Sequence, residues 1–124
     1  MTINNPDKFL DGVWDWAMFD GCFGQTRIKP TDLDGFVERK GKFLVLETKH
    51  LDAEIPEGQQ ITFSSLVKTG YFSILVMWGE KNNPKKARLI TRKGEFDYEP
   101  CDTDKCRQIV TKWFAYAESS ESFT

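Results

Sequence analysis

Cysteine and histidine are scarce in this chain: Cys22, Cys101, Cys106 and the single His50 are all it has among 124 residues. An odd number of thiols with no leader argues against a disulfide framework. Two of the thiols, Cys101 and Cys106, have four residues between them. With Cys22 and His50 they have the ligand types of a tetrahedral zinc site. Zinc sites usually bring two tight ligand pairs, however, and only one loose pair is present, so three ordinary thiols and a surface imidazole are expected. Long apolar runs are missing too. The longest is Ile74 to Trp78, far short of a membrane span. No cationic stretch followed by an apolar one follows Met1, so no secretory leader and a cytoplasmic location are expected. Nor is there a surplus of either charge: 17 Lys and Arg against 19 Asp and Glu give a net charge of −2. That excludes bulk electrostatic attraction to nucleic acid, and any such contact must come from a local basic patch.

What is present suits one globular domain spanning residues 1–124. The chain is 40% hydrophobic and 29% charged, and a domain of this size buries roughly two-thirds of its unfolded surface. No repeat, linker or low-complexity segment interrupts it. Asn5 and Pro6 read as a helix start, an N-cap followed by a proline in the first turn. Phe9, Leu10, Val13, Trp14 and Ala17 then recur at helical spacing, which predicts a helix over 6–19, ending before Gly21. Cys22 to Lys29 reads as a short strand. Phe36 to Glu38 and Phe43 to Thr48 read as strands joined by a tight hairpin at Arg39-Lys-Gly-Lys42.

The second of these strands is nearly all apolar and should be central and covered on both faces. After a turn at Ile55-Pro-Glu-Gly58, residues 59–69 read as a helix with Ile61, Leu66 and Val67 inward, flanked by Phe63. Phe72 to Trp78 is a second buried strand. Strand, helix and strand in this order predict a parallel pair. A polar loop over 80–86 should follow, then a hairpin of Ala87 to Thr91 and Glu95 to Tyr98. The last element is a helix over 102–118 with Ile109, Val110, Trp113, Phe114 and Ala117 on one stripe. The class is α/β: a mixed sheet of five or six strands, covered by the helices near 6–19 and 59–69, with a C-terminal hairpin and helix.

The chemistry gathers at the first hairpin. Asp34 stands at the mouth of one strand. Glu47 and Lys49 stand at the end of the next and, at i and i+2, share a face. Glu and Lys at that spacing occur often by chance, as an ion pair on an exposed strand. Here four apolar residues, Phe43 to Leu46, run straight into Glu47, and a charged triplet on an otherwise buried strand needs a reason. Two carboxylates close together repel. A hard divalent cation such as Mg²⁺ or Mn²⁺ relieves that repulsion through oxygen ligands.

Pro30-Thr-Asp-Leu-Asp34, a hairpin, and Glu47-Thr48-Lys49 together resemble the PD-(D/E)xK nuclease motif. Ile55-Pro-Glu-Gly-Gln59 opening a helix before a buried strand resembles the glutamine-bearing motif of the virus-type replication-repair nuclease branch. Holliday junction resolvases and type II restriction enzymes share that core. The resemblance covers about residues 5 to 79 and implies a restriction-endonuclease-like αβββαβ core. It also implies Mg²⁺-dependent cleavage of DNA phosphodiester bonds. On this resemblance Asp34, Glu47 and the carbonyl of Thr48 would hold Mg²⁺ or Mn²⁺, Lys49 would activate water or touch phosphate, and Gln59 would stand beside them at the helix start. Asp32 competes with Asp34, which is preferred because Gly35-Phe-Val follows at once. The family's first-helix acid is usually Glu. This chain has none before Glu38, so Asp11, Asp15 or Asp20 must serve, with Asp15 favoured, or the position is vacant.

Lys81, Lys85, Lys86, Arg88, Arg92 and Lys93 put six cations into thirteen residues. They read as solvated loop charge or as a strip beside the site that contacts phosphates, with Lys85, Lys86 and Arg88 as the expected nucleic-acid-binding residues and Arg27 and Lys29 as an extension. Trp14, Trp16, Trp78 and Trp113 are read as core packing ahead of base stacking. The leading expectation is a DNA endonuclease, structure-specific or nicking, of a kind that would suit a phage or mobile element. A core this small has little mass for reading bases, so a homodimer is also expected. The alternatives are a catalytically inactive relative that binds nucleic acid or a protein, and an unrelated small binding module.

Overall fold

Two nearly all-apolar segments, Phe43 to Leu46 and Ile74 to Trp78, have no polar face to offer to water, and the fold is built around them. The computed structural model describes residues 12–119, and the chain divides into two compact units, Met1–Asp32 and Leu33–Thr124. The second unit is α/β, a five-stranded mixed sheet with two helices. Its elements in chain order are β1 (Gly35–Arg39), β2 (Lys42–Lys49), α1 (Glu57–Lys68), β3 (Phe72–Glu80), β4 (Asn83–Thr91), β5 (Gly94–Tyr98) and α2 (Thr103–Ser119). The strands lie side by side in the order β1-β2-β3-β4-β5. The pair β2 and β3, joined through α1, is parallel as the pattern predicts, and the other three pairs are antiparallel. In the parallel register Val45 faces Ile74, Glu47 faces Val76 and Lys49 faces Trp78.

Alternation along the strands sends side chains to two cores. On one face Val45, Ile74, Val76, Trp78 and Ile90 pack with Ile55 and with Phe63 and Val67 of α1. On the other, Leu44, Leu75 and Ala87 pack with Cys101 and with Cys106, Ile109, Trp113 and Ala117 of α2. Leu44, Val45, Ile74, Leu75 and Val76 are 0% exposed. Truncating a buried Leu or Ile of this kind to Ala costs about 2–5 kcal/mol.

The β1–β2 hairpin turns through Lys40 (φ 52°) and Gly41 (φ 78°), the two positive φ values that a twist-matched two-residue turn requires. Its tip is tied to the end of α2. Arg39 pairs with Glu118, and Lys40 Nζ donates to the Glu118 carbonyl at 2.8 Å. The pair is surface-exposed and contributes little stability.

The structure corrects several expectations. Cover of the sheet is expected from helices over 6–19 and 59–69; in the structure α1 packs on one face and α2 on the other. Of the expected helix over 6–19, residues 6–11 lie outside the described residues, and residues 12–16 are not helical; only a 3-10 turn, Ala17–Phe19, forms. Trp16 takes a left-handed φ of 65°, and Asp15 Oδ1 accepts the Ala17 amide at 2.9 Å, a local bond that competes with the helix. No strand forms over Cys22 to Lys29, where Thr26 Oγ1 turns back onto the Phe23 carbonyl at 2.7 Å. No described residue of this first unit is buried. An apolar helical period stabilises a helix only when its stripe has something to bury against.

The expected polar loop over 80–86 is mostly strand. β3 runs to Glu80, Lys81 and Asn82 make the turn, and β4 begins at Asn83. Gly79 permits this tight return, because a Cβ there would lie 2.4 Å from the Asn83 carbonyl oxygen. The pairing shifts by one residue, from Trp78 with Lys86 to Gly79 with Pro84, so Lys85 is the extra residue of a bulge. In α1, Ile61 is 61% exposed whereas Phe63 is 1% exposed. Two residues are about 200° apart on a helix, so both cannot face inward. In α2, Phe114 is exposed, off the buried stripe of Ile109, Trp113 and Ala117.

Candidate active site

Glu47 is the anomaly of the core, a carboxylate 2% exposed on an otherwise apolar strand. An ion buried without partners costs several kcal/mol, so its bonding has to be accounted for atom by atom. Oε1 accepts the backbone amide of Asp34 at 3.1 Å. Oε2 accepts Gln59 Nε2 at 3.0 Å and lies 4.0 Å from Lys49 Nζ. The donors come from three directions: the chain entering β1, the first turn of α1, and the same face of β2 two residues on. All three follow from the fold. Antiparallel pairing sets Gly35 opposite Leu46, so Asp34 arrives beside Glu47. The crossover places the start of α1 at the end of β2.

The Asp34 side chain is held separately. Its Oδ2 accepts both the Thr48 amide at 2.9 Å and the Thr48 hydroxyl at 3.0 Å. The main chain of Asp34 thus binds Glu47 while its carboxylate binds the residue next to Glu47, which locks the two acids into one small region. Lys49 is only partly accessible, its side chain 17% exposed. A groove of about 750 Å³ opens beside it, bordered by Thr48, His50 and the β3–β4 turn residue Lys81.

The side-chain oxygens gathered here are hard donors: the carboxylates of Asp34 and Glu47 and the Gln59 amide. Gln59 Oε1 is buried with no hydrogen-bond partner, an oxygen beside Glu47 with unused acceptor capacity. Among the described residues no three His, Cys, Asp or Glu side chains form a metal-holding group. Mg²⁺ typically takes one or two carboxylates and keeps water or phosphate in its remaining positions, so the residues present fit such an ion.

The other expected site residues distribute as follows. Lys86 and Arg88 lie on the Glu47 face of the sheet, opposite Trp78 and Val76, and Lys86 Nζ and Arg88 Cζ stand 5.3 and 5.9 Å from the Trp78 ring centre. Arg88 is already engaged. Its Nε donates to Asp97 at 2.6 Å and its Nη1 lies 3.9 Å from Glu95. The hydrogen bond to Asp97 is the largest of the causes that hold its guanidinium pKa above the ordinary value. Lys85 is exposed at the bulge. Trp78 is 6% exposed, with Nε1 donating to the Ala53 carbonyl at 2.7 Å, and Trp113 is 7% exposed, so both are core. Trp14 and Trp16, expected to pack in the core, are instead 67% and 37% exposed. Asp15, Asp20, Arg27, Lys29 and Asp32 belong to the first unit, and Asp11 lies outside the described residues.

Cys101 and Cys106 face each other at 3.6 Å between sulfurs. Burial, ahead of the hydrogen bond with Cys101, pushes the Cys106 thiol up to about 12.

Sequence reading missed the Asp34 amide and the Thr48 hydroxyl. A main-chain donor leaves no mark in a sequence, and a threonine in a strand is too ordinary to single out. Comparison of the chain with protein-family models, with curated proteins and with solved structures gives no match.

Proposed function

We propose that the chain is a divalent-metal-dependent phosphodiesterase of the PD-(D/E)xK type that cleaves DNA. The sheet from β1 through β3, with α1, is then the core of a restriction-endonuclease-like fold. The observation that carries the reading is the buried Glu47 carboxylate, gathered with Asp34, Lys49 and Gln59 at the ends of two paired strands. Asp34, Glu47 and the Thr48 carbonyl would hold Mg²⁺ or Mn²⁺, with the Gln59 amide oxygen at hand. When bound, the cation supplies Lewis acidity toward phosphate and water. Lys49 places a compact positive charge beside the groove, where it stabilises the charge that develops on phosphate or on the attacking water. Gln59 and the Asp34 amide orient Glu47.

A second reading, a nuclease-fold protein that binds nucleic acid or a protein without cutting, is favoured by one observation: both oxygens of Glu47 already carry protein donors.

The test is a titration of Mg²⁺ and Mn²⁺ with supercoiled, linear and branched DNA, using wild type and Glu47→Ala, alongside calorimetry of metal binding. Metal-dependent cleavage abolished in Glu47→Ala, with metal binding weakened in Asp34→Ala, is the expected result. DNA binding without cleavage at any metal concentration selects the second reading. Equal metal binding by wild type and Asp34→Ala rejects the metal assignment.

A further inference from the structure

We infer that a second phosphate-binding pocket, formed by α1 and the β4–β5 hairpin, holds the nucleic-acid backbone at a distance from the scissile bond. The inference rests on the nuclease reading for its ligand but not for its geometry. A pocket of about 280 Å³ lies along α1, on the same face of the sheet as Glu47. Its lining includes Lys68, Arg88, Arg92 and Lys93 against the single carboxylate Glu95. Four cations converge in this way on a chain whose net charge is −2.

These cations come from separate elements, which a run of solvated loop charge would not bring about. Lys68 closes the last turn of α1, and Arg92 and Lys93 form the β4–β5 turn. Arg92 reaches across to the end of α1. Its Nη1 lies 3.4 Å from where a Cβ on Gly70 would stand, at the helix terminus whose dipole favours a cation. The Lys93 amide donates to Thr91 Oγ1 at 3.1 Å, which fixes the turn.

The occupancy of each cation decides what the pocket can take. Arg88 is neutralised by Asp97 and Glu95. Among the described residues Lys68, Arg92 and Lys93 have no carboxylate within ion-pair distance. The floor includes Phe63 and Ile90, both buried, and an apolar floor strengthens the pull of charges set around it. Ser64 also lines the pocket. The pocket is too small for a stacked base pair, and its charge suits a phosphodiester.

The spacing to the first site is also suitable. Glu47, Val76 and Arg88 lie in one row across three strands, which is roughly 10 Å. Following the direction of β4 from Arg88 past its last residue, Thr91, to Arg92 in the turn adds about 13 Å at right angles. The separation of roughly 16 Å matches about five base pairs of duplex. One duplex can present a phosphate beside Glu47 and another to Arg92 and Lys93.

The test measures binding of a fluorescent DNA duplex in EDTA over a series of KCl concentrations, so that no cleavage intervenes. Removing one cation that pairs with a phosphate lowers the slope of log affinity against log salt by about 0.9. The triple variant Lys68→Ala, Arg92→Ala, Lys93→Ala should lower that slope by about two to three and weaken binding more than tenfold. Lys93→Glu alone should weaken it further than Lys93→Ala. Lys112→Ala, on α2, is the control and should leave binding unchanged. Circular dichroism confirms folding, and the single variant keeps the test valid if the triple one is unstable. An unchanged slope in folded variants overturns the pocket even where wild type cuts DNA. A reduced slope in a protein that never cuts keeps the pocket and rejects the nuclease reading. Absence of any DNA binding by wild type in EDTA overturns the pocket, and the cleavage titration with Mg²⁺ and Mn²⁺ decides the nuclease reading separately.

Discussion

Gln59 Nε2 donates to Glu47 Oε2 at 3.0 Å and so ties the first turn of α1 to the end of β2. The bond joins the two elements at the point where the core carries its only buried charged residue among the described residues. A hydrogen bond to a charged group contributes about 1.5–3 kcal/mol. Gln59→Ala should therefore lower the melting temperature by roughly 5–10 °C for a domain of this size. Gln59→Glu should destabilise more at neutral pH, because it sets a second carboxylate against Glu47, and saturating Mg²⁺ should restore part of the stability. Thermal melts with and without metal check both. A Gln59→Ala variant as stable as wild type would mean that Glu47 is solvated and that the cluster is looser than its distances imply.

The β3–β4 return depends on the absence of a side chain at one position. A Cβ on Gly79 would stand 2.4 Å from the Asn83 carbonyl oxygen and 2.9 Å from Pro84 Cα, both backbone atoms that cannot swing away. Gly79→Ala should cost about 1–3 kcal/mol, the usual range for forced overpacking. It should also disturb the groove that borders Lys49. Chemical denaturation gives the first quantity, and the amide NMR shifts of Thr48 to His50 report the second.

Much of the second unit was legible in the residues, and the reason is physical. β2 and β3 are apolar on both faces, which only a central position satisfies, and the β2–α1–β3 order implied the parallel pairing. Asp34, Glu47 and Lys49 could be placed together because a hairpin and strand alternation bring them to one end of the sheet, whereas Gln59 was placed beside them only through the resemblance to the glutamine-bearing nuclease motif. The first unit was not legible. Val13, Trp14 and Ala17 have a helical period, but period says nothing of a surface to bury against, and Trp16 takes a left-handed conformation instead. The strand over Asn83 to Lys86 was hidden by its charge, since Asn83 and Lys85 are exposed and a solvent-facing strand near a sheet end looks like a loop.

Cys106 makes stability depend on alkaline pH. Burial raises its thiol from 9.0 to about 12, so between these values the folded chain holds a proton that the unfolded chain has released. Stability from this group is complete below pH 9.0 and falls as pH rises toward 12. The decline in stability between these limits should be shallower in Cys106→Ala than in wild type. Denaturation midpoints measured across that range for the two proteins give the difference directly. That difference reports the Cys106 thiol together with its contact to Cys101.

Lys49 is the sharpest probe of the chemistry. It lies 4.0 Å from Glu47 Oε2 with its side chain 17% exposed, close enough to sense the carboxylate and open enough to reach a phosphate in the groove beside it. Water attacking a phosphodiester needs a nucleophile and a sink for charge on the phosphate oxygens. A positioned ammonium serves the second need and stabilises a forming hydroxide. Lys49→Ala should keep the fold and most metal binding, because Asp34, Thr48 and Gln59 keep their bonds. Cleavage should fall by on the order of a hundredfold or more, the usual effect of deleting one interaction made in the transition state. Lys49→Arg should recover only part of the rate, since a wide guanidinium cannot give up a proton and fits a compact site poorly. Glu47→Ala should behave differently and lose metal and rate together. Single-turnover cleavage with calorimetry of metal binding separates these cases. A folded Lys49→Ala protein that cuts DNA at the wild-type rate would reduce the strand-end cluster to an ion pair with no part in the reaction.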